Sequence, residues 1–440
     1  MTNTKKIIIL LGDILILYGA LILTLIFRYG PNYFGESFYA HLKPFSIIFV
    51  LWLVIFYLAD FYKEKRLKIS PATIQVFILA IVIGVVSSII LLYLFPEFFK
   101  LTPKTNLVIF ALVFGILDFG WRSLLFKVFI LTGWRNRLLI IGDSPAINEV
   151  ISYLKTNPQF GYNLIAQIKE YLERKTESDI KKIITDQKIN NIVIQTNLKK
   201  DPNIIKSIYK LLSSRIAIMD FVGFYETIFQ KLPLEELEEG WFIEKITTSR
   251  HLYEFIKRTA DIILALILGI ILLPAALIIA ILIKLDSRGP IIYKQERIGF
   301  NDKSFILYKF RTMVVDQSGP LWTTKADKRL TLIGKFLRYT HLDEIPQLYN
   351  ILKGDISFIG PRPERRELVE LYKQLPYYEI RHIIKPGLTG WAQLNYKPSA
   401  SLEEAKEKLQ YDIYYIKNRS LVLDVLIILK TIKYLFFSNQ

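Results

Sequence analysis

The sequence predicts a membrane protein in three parts: four N-terminal transmembrane helices, a Rossmann-like α/β middle domain, and a C-terminal α/β domain led in by one further membrane helix. Three observations predict it. Hydrophobic residues fill 52% of the 440 positions and aromatics 14%, and they gather into runs long enough to span a bilayer. From about residue 135 to 245 the runs give way to short strands alternating with amphipathic helices. Beyond a fifth apolar run the texture turns mixed and charged.

Composition narrows the chemistry. The net charge of +17 suits anionic headgroups or phosphate-bearing substrates. No nucleic-acid motif accompanies the charge, so no nucleic-acid partner is expected. The chain has no cysteine, which excludes disulfides, thiolate metal sites and a thiol nucleophile. Its four histidines, His41, His251, His341 and His382, stand far apart, which argues against a histidine-rich metal centre.

In the first part (1–134), runs of spanning length lie near 6–27, 44–62, 74–95 and 106–131. The first has no small-residue cleavage site and reads as an anchor rather than a signal peptide. Lys5 and Lys6 precede it, Lys63, Lys65, Arg66 and Lys68 separate the second and third runs, and Arg135 and Arg137 follow the fourth. The opposite loops carry Arg28, Lys43, Lys100 and Lys104. The balance places both ends of this four-helix unit in the cytoplasm. The unit reads as a plain anchor.

In the second part (135–250), residues 137–143 (RLLIIGD) read as a buried strand followed by a helix through 147–154, with further strands at 163–169, 190–196 and 215–221. The turn Gly142-Asp143-Ser144-Pro145-Ala146 lacks the second and third glycines of a dinucleotide fingerprint, and Asp143 puts negative charge where a phosphate would sit. The expectation is a structural or regulatory domain without a cofactor.

Residues 262–283 form the fifth apolar run, within a segment 251–285 that has Pro274 in its middle. Lys257 and Arg258 flank one end and Lys284 and Arg288 the other, so charge gives no direction. Two readings stand: a fifth crossing kinked by proline, or a helix that enters one leaflet, bends at Pro274 and returns. In the last part (286–440), residues 421–437 are apolar but interrupted by Asp424, Lys430 and Lys433. They suit a helix lying in the membrane interface or a buried core helix.

Chemistry-bearing residues concentrate in this last part. In 286–313, Arg288, Lys294, Arg297, Lys309 and Arg311 alternate with Tyr293, Phe305, Tyr308 and Phe310. Cations presented from a packed hairpin suit a diphosphate, which arginine can grip through two oxygens. Asp343 and Glu344 stand together in a neutral stretch before Pro346. Adjacent acids do not share a helix face; they mark a helix start, or one attacks phosphorus while the other holds a metal. Residues 353–364 present Arg362 and Asp355 from a glycine- and proline-shaped loop, and 385–393 present Trp391 from another.

From residue 257 onward the chain resembles the polyprenyl-phosphate sugar-1-phosphate transferases, the monotopic phosphoglycosyl transferases. The motifs that carry this are KRTAD (257–261), GPIIYKQERIG (289–299), KFRTM (309–313), LDEIPQLYN (342–350), GDISFIGPRPE (354–364) and PGLTGWAQ (386–393). Upstream spans and a degraded Rossmann-like domain fit the large members. SGPLW (318–322) and the 393–418 stretch point to the exopolysaccharide-associated branch.

The resemblance implies a two-step exchange. Asp343 attacks the sugar-linked phosphorus of a UDP-sugar and releases UMP, and polyprenyl phosphate then takes the phosphosugar. Glu344 is implied as the Mg2+ ligand, and Arg362, Lys309, Arg311 and Arg297 as phosphate contacts. Lys257, Arg258 and Asp261 would organise the membrane-facing rim, with Pro274 bending a re-entrant helix so that the site faces the cytoplasm of a bacterial inner membrane. Hexose phosphates are the expected cargo, N-acetylated sugars remain open, and the resemblance allows two copies to pair through their N-terminal regions. The chain departs from the family pattern at His341, where serine or a small residue is usual, at Asp302 in place of a common glycine, and at Leu273 before the proline.

Overall fold

The computed structural model describes residues 3–31, 34–62, 71–99, 104–131, 136–169, 177–200, 209, 216–246, 250–314, 329–396 and 401–437. They form two compact units, Met1–Thr227 and Ile228–Gln440. The 318–322 motif, residues 397–400, and Lys63, Lys65, Arg66, Lys68, Lys100 and Arg135 lie outside the described residues.

The first unit opens with helices α1 (Asn3–Tyr29), α2 (Phe34–Leu58), α3 (Pro71–Leu94), the single turn α4 (Pro96–Phe99) and α5 (Lys104–Leu131). Stretches of four of them, Ile7–Tyr29, Ser37–Leu58, Thr73–Leu94 and Thr105–Val128, are long and apolar enough to cross a membrane. The second begins before the expected residue 44. Pro44 lies inside α2, and His41 Nδ1 bonds the Ser37 carbonyl one turn back (2.7 Å). Aromatic rings fill the core, with Trp52, Phe56, Phe110 and Phe114 in mutual contact and the Trp52 indole donating to Ser88 Oγ (3.0 Å). One charged cluster is buried there. Arg122 donates to Asp118 (2.7 Å), Asp13 (2.7 Å) and the Phe61 carbonyl (3.1 Å).

The same unit continues into a parallel four-stranded sheet of order β2-β1-β3-β4, from β1 (Asn136–Ile141), β2 (Tyr162–Ile168), β3 (Asn191–Ile194) and β4 (Ala217–Asp220). Helix α6 (Pro145–Thr156) follows β1. Ser144 caps it by accepting from Ile147 N–H, and Pro145 takes the first position, where a missing N–H is harmless. Gly142 has φ +133°, and a Cβ there would fall 2.5 Å from Gln195 Oε1, which accepts the Asp143 N–H. Helices α7 (Glu177–Asp186) and α8 (Phe221–Phe229) complete this part.

In the second unit, α9 (Glu239–Lys245) precedes the 36-residue α10 (His251–Asp286), whose helix runs unbroken through Pro274. One stripe of α10 is docked along its length. Ala265, Leu268 and Leu272 pack on Leu307, Leu348 and Ile351, and Ala276, Ile279 and Ile283 pack on Phe310 and Leu337. The remaining faces expose Ile263, Ile270, Ile271, Leu277, Ile281 and Leu285. Next come an antiparallel hairpin, β5 (Ile292–Ile298) and β6 (Ser304–Phe310), then α11 (Leu332–Thr340), α12 (Gln347–Lys353), β7 (Ser357–Ile359) and α13 (Arg366–Tyr372). Strand β8 (Gly387–Thr389) pairs in parallel with β7, and α14 (Trp391–Asn395), α15 (Leu402–Asn418) and α16 (Leu421–Phe437) end the chain. Helix α16 buries Asp424 and Ile427 while exposing Val422, Val425 and Ile432, so it is docked on one face and apolar on another.

Candidate active site

The Asp343–Glu344 pair sits in a tight turn between two helices. Thr331 caps α11 through the Gly334 N–H (2.9 Å), and α11 lies so close to the end of the hairpin that a Cβ on Gly334 would meet the Thr312 carbonyl at 2.0 Å. The helix stops at His341, in the left-handed region at φ 58°. A single 3-10 turn, Leu342–Glu344, then leads through Pro346 into α12. The two acids therefore face different ways.

Glu344 Oε1 accepts from Lys309 Nζ on β6 (2.6 Å) and from Arg362 Nη2 (3.2 Å). Burial alone would raise its pKa, but Lys309 and Arg362 outweigh it and hold Glu344 at about 2. Asp343 is 7% exposed and accepts no hydrogen bond among the described residues. Burial raises its pKa above the ordinary aspartate value, opposed by Lys309, reinforced by Glu344, and opposed again by Arg338 and His341. An unpaired carboxylate beside a cation-neutralised one is a competent nucleophile next to an electrostatic clamp for phosphate oxygens.

The expected site residues divide clearly. Lys309, Asp343, Glu344 and Arg362 come together. Arg297 does not join them: it donates to the Pro363 carbonyl (3.0 Å) and Gln295 Oε1 (2.7 Å). Arg311 is 4% exposed, and its Nη2 closes the end of α10 through the Ser287 carbonyl (2.6 Å) and Ser287 Oγ (2.9 Å), away from Glu344. Lys257 pairs with Asp424 of α16 (2.9 Å), Arg258 donates to the Ile351 and Leu352 carbonyls that end α12, and Asp261 accepts the Phe358 N–H (3.2 Å). These three fasten the start of α10 to the rest of the unit.

Sequence reasoning passed over Arg338, which acts on Asp343 from the last turn of α11 while its Nε donates to Thr312 Oγ1 (3.0 Å). A cation in the final helical turn five residues before the acids was the available signal. The family departures have local explanations. Asp302 occupies φ 57°, a conformation that favours glycine, and its Oδ1 accepts from His382 Nδ1 at 2.7 Å. His341 supplies the left-handed cap and lies against the Tyr434 ring, 6.5 Å between centroids. Leu273 is exposed on α10.

Residues 252–438 match the family model described as bacterial sugar transferase. An exopolysaccharide production protein of Rhizobium leguminosarum is 42% identical over 186 residues, covering 40% of this chain and 93% of that protein. The chain belongs to the bacterial sugar transferase family. A UDP-N-acetylgalactosamine-undecaprenyl-phosphate N-acetylgalactosaminephosphotransferase of Aeromonas hydrophila is 41% identical over 211 residues, 47% of this chain and 49% of that one, so the match spans about half of that relative. A UDP-glucose:undecaprenyl-phosphate glucose-1-phosphate transferase of Escherichia coli is 27% identical over 419 residues, 90% of this chain and 89% of that one. The long match extends the likeness upstream into the helical and sheet-bearing unit.

Proposed function

We propose that the protein transfers a sugar-1-phosphate from a UDP-sugar to undecaprenyl or a similar polyprenyl phosphate and releases UMP. The observation that carries this is the unpaired, buried Asp343 beside Glu344, Lys309 and Arg362. In the first step an Asp343 oxygen bonds to the sugar-linked phosphorus, and the bond from that phosphorus to the bridging oxygen breaks. UMP leaves with the electron pair. In the second step an oxygen of the polyprenyl phosphate attacks the same phosphorus, expelling Asp343 as carboxylate and giving a polyprenyl diphosphate sugar. In this reading Lys309 and Arg362, which meet at Glu344, bind and orient the phosphate oxygens in both steps, while Arg338 acts on the Asp343 carboxylate.

Magnesium fits this site in one form only. Among the described residues no group of three or more His, Asp or Glu side chains could enclose a metal ion. Glu344, whose Oε2 accepts nothing among those residues, suits an ion shared with substrate phosphates, which is how Mg2+ is commonly held. When bound, the ion would neutralise diphosphate charge and ease departure of UMP.

The membrane arrangement follows the same reading. At about 1.5 Å per residue α10 is roughly 54 Å long, yet Arg258 near its start and Asp286 at its end both bond within one unit, Asp286 accepting the Ile333 N–H (3.2 Å). A crossing would carry those two residues to opposite sides of a hydrocarbon core about 30 Å thick. We therefore infer that α10 enters and leaves one leaflet on the cytoplasmic face of an inner membrane, where nucleotide-sugars are found, with Pro274 as the point at which the continuous helix bends. The sheet of the first unit we read as Rossmann-like and without a dinucleotide, because Gln195 fills the turn at Gly142.

The test is UMP release by the full chain in nanodiscs with Mg2+, undecaprenyl phosphate and a panel of UDP-hexoses and UDP-N-acetylhexosamines. Release with one donor supports the reading and names the sugar. No release with any donor from folded protein sinks it.

A further inference from the structure

Arg362 projects from a short loop that has an unusual way of holding its backbone. Four consecutive carbonyls are each met by a donor. The Pro361 carbonyl accepts from Gly387 N (2.9 Å), Arg362 from Arg381 Nη2 (3.0 Å), Pro363 from Arg297 Nη1 (3.0 Å) and Glu364 from Ile298 N (3.0 Å). Pro361 and Pro363 fix φ on either side of Arg362. The arginine's own carbonyl is thus held by a side chain rather than by a strand.

Both terminal nitrogens of that side chain are engaged. Arg381 is 4% exposed and also donates to Asp412 Oδ2 (2.9 Å) and, through Nη1, to the Tyr378 hydroxyl (2.7 Å). Asp412 lies on α15 one turn beyond Lys408, and Lys408 Nζ donates to Glu364 Oε1 (2.6 Å). One buried face of α15 therefore reaches the loop by two routes, Lys408 directly and Asp412 through Arg381. Burial alone would raise Glu364, but Lys408, Arg381 and Arg297 hold it at about 2, so the grip is ionic at neutral pH. None of these groups touches Asp343 or Glu344.

We propose that Arg381, oriented by Asp412 and Tyr378, is a positioning residue for Arg362, setting where that guanidinium meets the phosphate oxygens of the donor. The inference rests on the transferase reading above. Arginine is required because one planar fork serves three acceptors in different directions; a lysine has neither the reach nor the geometry.

The experiment is a double-mutant cycle on UMP release at saturating acceptor, with Arg381→Lys, Arg362→Ala and the pair, each checked for its thermal midpoint. Arg381→Lys is expected to lower kcat/KM by roughly 10- to 100-fold, the effect of misplacing a binding group by about 1 Å. In the Arg362→Ala background the same change should add nothing beyond about twofold. Asp412→Asn, a milder isostere that still accepts, serves if Arg381→Lys fails to fold, and it should show a smaller loss with the same non-additivity. Equal losses in both backgrounds would mean general structural damage and overturn the positioning role while leaving the transferase reading intact. Wild-type protein that releases no UMP, or an Arg362→Ala variant of full activity, would instead overturn the reading of the site and the inference with it.

Discussion

Replacing Asn350 with alanine should loosen the strand that carries Lys309. Asn350 is fully buried, and its amide stands where a neighbouring strand would otherwise be. Nδ2 donates to the Ile306 carbonyl (2.7 Å) and to Asp355 Oδ2 (3.0 Å), and Oδ1 accepts the Tyr308 N–H (3.1 Å). Three hydrogen bonds at about 0.5–1.5 kcal/mol each, the one to a carboxylate at the upper end, give a loss of about 3 kcal/mol. For a unit of this size that corresponds to a drop of about 6–12 °C in thermal midpoint. The assay is the unfolding midpoint in detergent by intrinsic fluorescence, with UMP release measured at a temperature where the variant is still folded. Activity should fall as well, because Lys309 follows Tyr308 directly. Asn350→Asp keeps an acceptor for Tyr308 but sets a carboxylate against Asp355, so its loss should match alanine's at neutral pH and shrink in acid. A midpoint for Asn350→Ala indistinguishable from wild type would refute the bracket.

Three further outcomes follow from other parts of the molecule. The pKa of Asp343 is raised, and only its ionised form can attack, so UMP release should decline as pH falls through a point above the ordinary aspartate range; a rate flat down to the ordinary carboxylate range would contradict this. Arg122→Leu leaves Asp13 and Asp118 buried without their cation and should cost about 3–5 kcal/mol in detergent melts, whereas Asp13→Asn keeps one acid against one arginine and should cost far less; equal losses would be inconsistent with the triad. On α10, Ala265→Trp strikes the docked stripe and should abolish folded protein, while Ile270→Trp faces outward at 73% exposure and should be tolerated, and the reverse order of expression levels would refute the assigned face.

Much of this architecture is written in local pattern. The apolar runs and the strands around 137–143 and 190–196 could be read along the chain because each depends on a few neighbouring residues, whereas Lys309, Asp343, Glu344 and Arg362 are singled out by the family resemblance rather than by their spacing. What could not be read depends on distance. Arg297 and Arg311 look like free cations in a basic hairpin, and only tertiary contact shows them bonded to carbonyls at Pro363 and Ser287. The helix before Asp343 breaks left-handed at His341, a conformation histidine adopts more readily than most residues but not often enough to announce it. Asn350 and Arg381 act through backbone groups more than a dozen residues away. The start of the second span was obscured by Pro44, whose ring usually marks a boundary but is accommodated within α2.

The measurement closest to the chemistry is intact-protein mass spectrometry after brief exposure to the UDP-sugar and Mg2+ without lipid acceptor. The expected result is a mass gain equal to one phosphosugar, mapped by peptide analysis to Asp343, discharged on adding polyprenyl phosphate, and missing from Asp343→Asn. UMP release with no adduct, or an adduct that persists in Asp343→Asn, would contradict Asp343 as the nucleophile.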